Sequence, residues 1–222
     1  NQDKHEISLL KKYIKKGDVV LDIGANIGFY TKILSELVGD TGKIYAFEPD
    51  KTNFSYLKEN AAHLKNVELV NKAVSDKTGA IILYQSDLLN VDHKTYATED
   101  YTSKTEIESV AMDDVIPNKK VDFIKIDIQG FEYFAFQGMK EIFKQNEDLK
   151  IIAELYPYGL NNSGIKVEEF VSFLRESDFY IYKMSENKLS LLNDADVTSL
   201  NNENYRIHIV DILVSKKAIH EI

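Results

Sequence analysis

The 222-residue chain has the length of one compact domain with a sizeable core, and 44% apolar against 28% charged residues set it apart from disordered sequences. Its formal charge of −9 opposes a phosphate backbone, and arginine occurs only at Arg175 and Arg206, so nucleic acid and highly anionic substrates are disfavoured. Cysteine is absent, which excludes disulfides, thiolate zinc sites and a thiol nucleophile and agrees with a reducing cytoplasm, and no apolar run approaches the ~20 residues of a membrane helix.

In chain order, His5 to Lys16 places Ile7, Leu10 and Ile14 at helical spacing, and Gly17-Asp18 ends that helix. Val19 to Ile23 is an apolar strand broken only by Asp22, followed by a glycine loop and a helix over Tyr30 to Val38. After the turn Gly39-Asp40-Thr41-Gly42 come a second strand, Lys43 to Glu48, and a helix, Lys51 to Leu64. Val67 to Val70 and Ala80 to Tyr84 read as strands. Gln85 to Thr105 is polar without clear periodicity, which fits a substrate-side lid or a disordered stretch. Glu106 to Met112 and Val121 to Asp127 are strands, the second leading through Gly130 into a helix over Tyr133 to Phe143. Leu149 to Leu155, a helix over Val167 to Glu176, and Phe179 to Met184 follow. A polar loop, Ser185 to Tyr205, then joins the last strand, Arg206 to Val214. Strands alternating with helices predict an α/β fold whose mostly parallel sheet is covered on both faces and closed by an antiparallel edge strand.

The stretch Asp22-Ile23-Gly24-Ala25-Asn26-Ile27-Gly28 carries the most chemistry. A buried strand runs into small residues that let backbone approach a ligand. A nicotinamide fingerprint requires Gly-x-Gly-x-x-Gly, whereas Asn26 stands where the middle glycine would be and Asp22 precedes the loop. An acid there suits a cationic amine better than a pyrophosphate. The second strand ends in Glu48-Pro49, and such an acid can accept both hydroxyls of a ribose.

Asp127 ends the central strand at the sheet edge where ligands bind. It can act as general base toward a hydroxyl, as a group that only orients one, or as a cap for the next helix. Lys125 shares its face, and a buried ammonium needs a partner, which Asp127 or Glu154 at the end of the next strand can supply. Glu132 suits the exposed amides of the helix after Gly130 as well as it suits catalysis. His93, Tyr96 and Tyr101 lie in the polar insertion. His5, His63, His208 and His220 show no convergent metal spacing, so no metal is expected.

Asp22-x-Gly24-x-Asn26-x-Gly28, Phe47-Glu48-Pro49, Ala73-Val74-Ser75-Asp76 and Lys125-Ile126-Asp127-Ile128-Gln129-Gly130-Phe131-Glu132 together resemble the FkbM family of S-adenosylmethionine-dependent methyltransferases, over about Gly17 to Pro157. The resemblance implies a Rossmann-like class I methyltransferase with a seven-stranded sheet. It also implies S-adenosylmethionine as cofactor, and O-methylation of sugar or natural-product hydroxyls. It places Asp22, Gly24 and Asn26 on the methionine part, Glu48 on the ribose, and Ser75 with Asp76 on the adenine side, with Gly28 of the same loop also among the cofactor-binding residues. Asp127, Lys125 and Glu154 remain for catalysis. Gln129 departs from the glutamate usual in the family, which puts a carboxylate function there in question. A nicotinamide-dependent oxidoreductase and a non-catalytic cofactor-binding module are the competing readings. A small-molecule hydroxyl acceptor is the expected partner, in a single domain over residues 1–222.

Overall fold

The computed structural model describes residues 2–85, 103–185, 188–201 and 209–219. The insertion residues His93, Tyr96 and Tyr101, along with Arg206, His208 and His220, lie outside them.

The chain runs α1 (Gln2–Tyr13), β1 (Val19–Ile23), α2 (Phe29–Val38), β2 (Lys43–Phe47), α3 (Lys51–Ala61), β3 (Val67–Val70), β4 (Ala73–Val74), β5 (Gly79–Gln85) and β6 (Ser103–Val110). It continues through α4 (Met112–Val115), a 3-10 turn (Pro117–Lys119), β7 (Phe123–Ile126), α5 (Glu132–Gln137), α6 (Lys140–Gln145) and β8 (Lys150–Leu155). Then follow α7 (Pro157–Asn162), α8 (Val167–Glu176), β9 (Tyr180–Ser185), β10 (Lys188–Leu191), α9 (Asp194–Leu200) and β11 (Val210–Ser215).

The main sheet has the order β10-β9-β11-β8-β7-β1-β2-β3. Its strands β3, β2, β1, β7 and β8 are mutually parallel, and β11 enters antiparallel between β8 and β9. The expected parallel sheet with a reversed last strand is therefore present. That strand is not at the edge: the loop Ser185 to Tyr205 contains an eighth strand, β10, which pairs back on β9, and helix α9. The strand expected at Ala80 to Tyr84 is not part of this sheet. With β6 it forms a hairpin in a second, three-stranded sheet ordered β4-β6-β5.

Alternation along the strands builds two apolar layers. Val20 and Ile44 face Leu10, Leu34, Val38 and Leu57 of α1 to α3, whereas Leu21, Ile23 and Ile124 face Phe136, Phe170 and Leu174 of the later helices. The helix expected over Tyr133 to Phe143 is broken into α5 and α6 at Gly138, where a Cβ would stand 2.2 Å from the carbonyl oxygen of Ser75. Among the described residues no helix is long and apolar enough to cross a membrane.

Asp50 fixes where α3 begins: its carboxylate accepts from the amides of Thr52 and Asn53, both at 2.9 Å. These are two of the amides a helix start leaves unpaired, so Asp50→Ala is expected to cost about 1 kcal/mol in urea denaturation. A change below a few tenths would show the cap to be idle.

Candidate active site

The carboxyl ends of β1, β2, β7 and β8 meet at one edge of the sheet, and a cleft of about 290 Å³ opens there. Gly24 to Ile27, Phe29 and Tyr30 line one side, Glu48, Pro49 and Asn53 a second, and Lys125 with Asp127 to Gln129 a third. The first wall is shaped by backbone. The amides of Gly24 and Ala25 both donate to the Phe47 carbonyl, at 3.0 and 2.9 Å, which ties the loop to the end of β2. Gly24 has φ +82°, and a Cβ on it would lie 2.0 Å from the Asp127 carbonyl oxygen, so the loops after β1 and β7 touch through backbone.

Glu48 is 5% exposed, and its two oxygens accept the amides of Asn26 at 2.8 Å and Asp50 at 2.9 Å. Burial pushes its pKa up to about 7 despite those bonds. Glu132 is fully buried and reaches back to the Ile128 amide at 3.1 Å. Its other oxygen has no partner among the described residues, and burial raises this carboxyl to about 7 as well. It braces the β7 loop from behind and does not line the cleft.

Between pH 4.5, the ordinary glutamate value, and about 7, both carboxyls keep a proton in the folded chain that the unfolded chain has released. Stability is therefore expected to fall as pH rises through that window, on the order of 1–3 kcal/mol per carboxyl. Urea denaturation at pH 5 and pH 8 measures the drop, which Glu48→Gln and Glu132→Gln should each shrink. A wild-type stability that climbs over the same range would contradict these surroundings.

Asp22 is 1% exposed and lies behind the loop rather than on the cleft surface. One oxygen accepts from the Thr31 hydroxyl at 2.6 Å, while the other is buried with no partner among the described residues. Burial raises its pKa, and the neighbouring Lys125, its cross-strand partner, works against that rise. Asn26 adopts φ +50°, a conformation asparagine tolerates better than most side chains. Gly28, expected beside the ligand, does not line the cleft. Its φ is +94°, a left-handed conformation that itself favours glycine, and a Cβ would also press to 2.8 Å on Leu57 Cδ1 of α3. Ser75 and Asp76 are hydrogen-bonded to each other at 2.9 Å beside the smaller sheet, and neither lines the cleft.

Lys125 is 5% exposed and faces the cleft, as expected for a central-strand lysine with partners. Its Nζ lies 4.0 Å from Asp127 and, unforeseen in the sequence, 3.9 Å from Glu6 of α1, with the Tyr30 ring centroid at 4.3 Å. Burial opposes its charge, but Asp127, Glu6, Asp22 and Glu154 outweigh burial and raise its pKa, so it stays an ammonium. Glu154 is not the direct ion-pair partner. Gln129, held at φ +56°, donates to Asp127 at 2.9 Å and to Glu154 at 3.3 Å, bridging the two carboxylates with a neutral amide. Burial, then the nearby Asp127 and Glu132 charges, push the Glu154 pKa up. Among the described residues no group of three or more histidines, aspartates or glutamates is arranged to hold a metal ion.

A cleft lined by Glu48, Asp127 and Lys125, with the buried Asp22 behind its loop, at the carboxyl edge of a parallel sheet suits a ligand with an amine and ribose hydroxyls. A family model described as the methyltransferase FkbM domain matches residues 22–181. The crystal structure of a methyltransferase FkbM from Methylobacillus flagellatus shares the fold, with a TM-score of 0.54 and 15% identity over 90% of this chain and 43% of that one. A Streptococcus mutans protein solved in complex with SAH gives a TM-score of 0.55 at 13% identity, covering 97% of both chains. A probable cobalt-precorrin-6B C(15)-methyltransferase (decarboxylating) of Saccharolobus solfataricus is 37% identical over 67 residues, 29% of this chain. That stretch spans 34% of the curated relative's length. The sheet order, the loop after β1 and the match over residues 22–181 show that the chain belongs to the FkbM family of S-adenosylmethionine-dependent methyltransferases.

Proposed function

We propose that the chain, acting as a single methyltransferase domain, transfers a methyl group from S-adenosylmethionine to a hydroxyl of a small molecule of sugar or natural-product type. The observation that carries this reading is the Lys125 ammonium. It is buried and faces the cleft, its nearest carboxylate oxygens stand at 3.9 and 4.0 Å, and no acceptor among the described residues lies within hydrogen-bond reach. A hydroxyl fits that gap, since its oxygen accepts from Lys125 while its proton is donated to Asp127. A protonated amine would meet the like charge of Lys125, and a carboxylate would meet that of Asp127.

The residues fit the methyl donor. The buried, unpartnered oxygen of Asp22 and the bare backbone at Gly24 and Asn26 suit a charged methionine moiety, and each Glu48 oxygen keeps a lone pair for a ribose hydroxyl. When bound, S-adenosylmethionine supplies an activated methyl electrophile. Asp127 holds the acceptor hydroxyl in line and receives its proton, Lys125 steadies the oxygen as it loses that proton, and Gln129 and Glu154 fix the direction in which Asp127 points. Ser75, Asp76 and Gly28 are left out of direct contact because they neither line the cleft nor, unlike Asp22, hold a buried polar atom without a partner among the described residues.

The reading is tested by calorimetry with S-adenosylhomocysteine and NAD, followed by incubation with methyl-labelled donor and a panel of glycans and lipid-like hydroxyls. Binding of the homocysteine compound but not NAD, with label recovered in an alkali-stable ether, is the expected result. Label found in an ester, an amine or added RNA would overturn the acceptor class, and a chain that binds the cofactor but labels nothing would be a binding module.

A further inference from the structure

We infer that Glu6 of α1 is a positioning residue that keeps the Lys125 ammonium from closing onto Asp127. The inference rests on the functional reading above and extends it to an element outside the loops of the cleft.

Glu6 lies one helical turn before Leu10, which is fully buried, so an acid occupies the stripe of α1 that packs on the sheet. Its side chain is only 13% exposed. An acid held there needs partners, and both of its oxygens have them. One accepts the Tyr30 hydroxyl at 2.6 Å, and the other stands 3.9 Å from Lys125 Nζ. The ring of the same tyrosine lies 4.3 Å from that ammonium, on the first turn of α2. Lys125 thus has two carboxylates almost equally near, Glu6 at 3.9 Å and Asp127 at 4.0 Å, with the Tyr30 ring beside it. Asp22 across the strand and Glu154 on β8 complete the charges around it.

Two carboxylates at nearly equal distance compete for the ammonium, and neither holds it in direct contact. That balance leaves its N–H donors and the Asp127 carboxylate open for a single shared oxygen. With the charge of Glu6 removed, the pull of Asp127 has no counterweight. Lys125 then moves into direct contact and takes the lone pair that the acceptor hydroxyl needs.

Glu6→Gln tests this, because the amide retains an oxygen for the Tyr30 hydroxyl while the charge is lost. In a crystal structure of the variant, the Nζ to Asp127 distance is expected to shorten from 4.0 Å to an ion-pair length of about 3 Å. With the best-labelled hydroxyl of the panel, kcat should fall about tenfold while KM for S-adenosylmethionine stays within about twofold. Placed on Lys125→Met, the same change should add almost nothing, since the residue it acts through is gone. Tyr30→Phe, which frees the Glu6 carboxylate, should shift kcat in the same direction by less. An unchanged distance, or an equal loss in the Lys125→Met background, would overturn the role. A wild-type chain inert toward every hydroxyl would defeat the functional reading instead, and the measured distance alone would then decide the part played by Glu6.

Discussion

Asp127→Asn is expected to lower methyl transfer to the hydroxyl acceptor by about two to four orders of magnitude while S-adenosylhomocysteine affinity changes by less than about threefold. The prediction follows from position. The Asp127 side chain is 35% exposed, stands just past the end of β7, and is aimed by Gln129 at 2.9 Å. Asparagine matches its shape and can still orient a hydroxyl, but it cannot take a proton at neutral pH. The size of the loss therefore separates two roles. A decrease of tenfold or less in labelled-methyl assays would leave only orientation, because the sulfonium is already an activated donor. Loss of cofactor binding together with activity would move Asp127 out of the acceptor site and into the cofactor site.

The second large effect belongs to the backbone. Gly24→Ala is expected to cost about 3 kcal/mol or more in urea denaturation and to abolish S-adenosylhomocysteine binding in calorimetry. The new methyl would stand 2.0 Å from the carbonyl oxygen of Asp127 and 3.2 Å from Ile128 Cγ2, and a strand-end carbonyl has no rotamer by which to withdraw. Gly164 supplies the control. Its φ of +88° is similar but nothing lies within 4 Å of a Cβ there, so Gly164→Ala should show the strain of a left-handed alanine alone, about 1 kcal/mol. Equal costs at the two positions would mean that the contact between the loops after β1 and β7 is not what requires glycine at Gly24.

Much of this arrangement could be read from residue order because its signals are local. The apolar run Val19 to Ile23, the small residues after it and the acid at Glu48 lie within one strand-helix-strand unit, and the cleft forms where that unit turns. Lys125 and Asp127 share a face through the two-residue period of a strand, which needs no knowledge of distant partners. The features that escaped depend on long-range packing. Gly28 looks like a ligand glycine until Leu57, far along the chain, occupies the space its Cβ would need. Gln129 looks like the loss of a carboxylate until its amide is found spanning Asp127 and Glu154. β10 is a four-residue edge strand whose only described partner is β9, and its alternation, Lys188-Leu189-Ser190-Leu191, is too short to stand out from a loop. Glu6 did leave a trace, as a charge on the apolar stripe of an amphipathic helix. Its partners Tyr30 and Lys125 became apparent only when α1 was seated on the sheet.

The placement of β11 bears on how the polypeptide reaches its native state. This segment comes last among the described strands, yet it lies between β8 and β9 and is hydrogen-bonded to both. The hairpin β9-β10 can form early by local pairing, but it has no neighbour to join until the tail arrives to link it to the rest. During synthesis the half of the sheet that carries the cleft can assemble while the far edge waits, with the flank of β8 open to any strand that comes by. Completion of the tail is thus what removes that exposed flank, and a nascent chain stalled shortly before β11 would be the form most prone to associate with its neighbours.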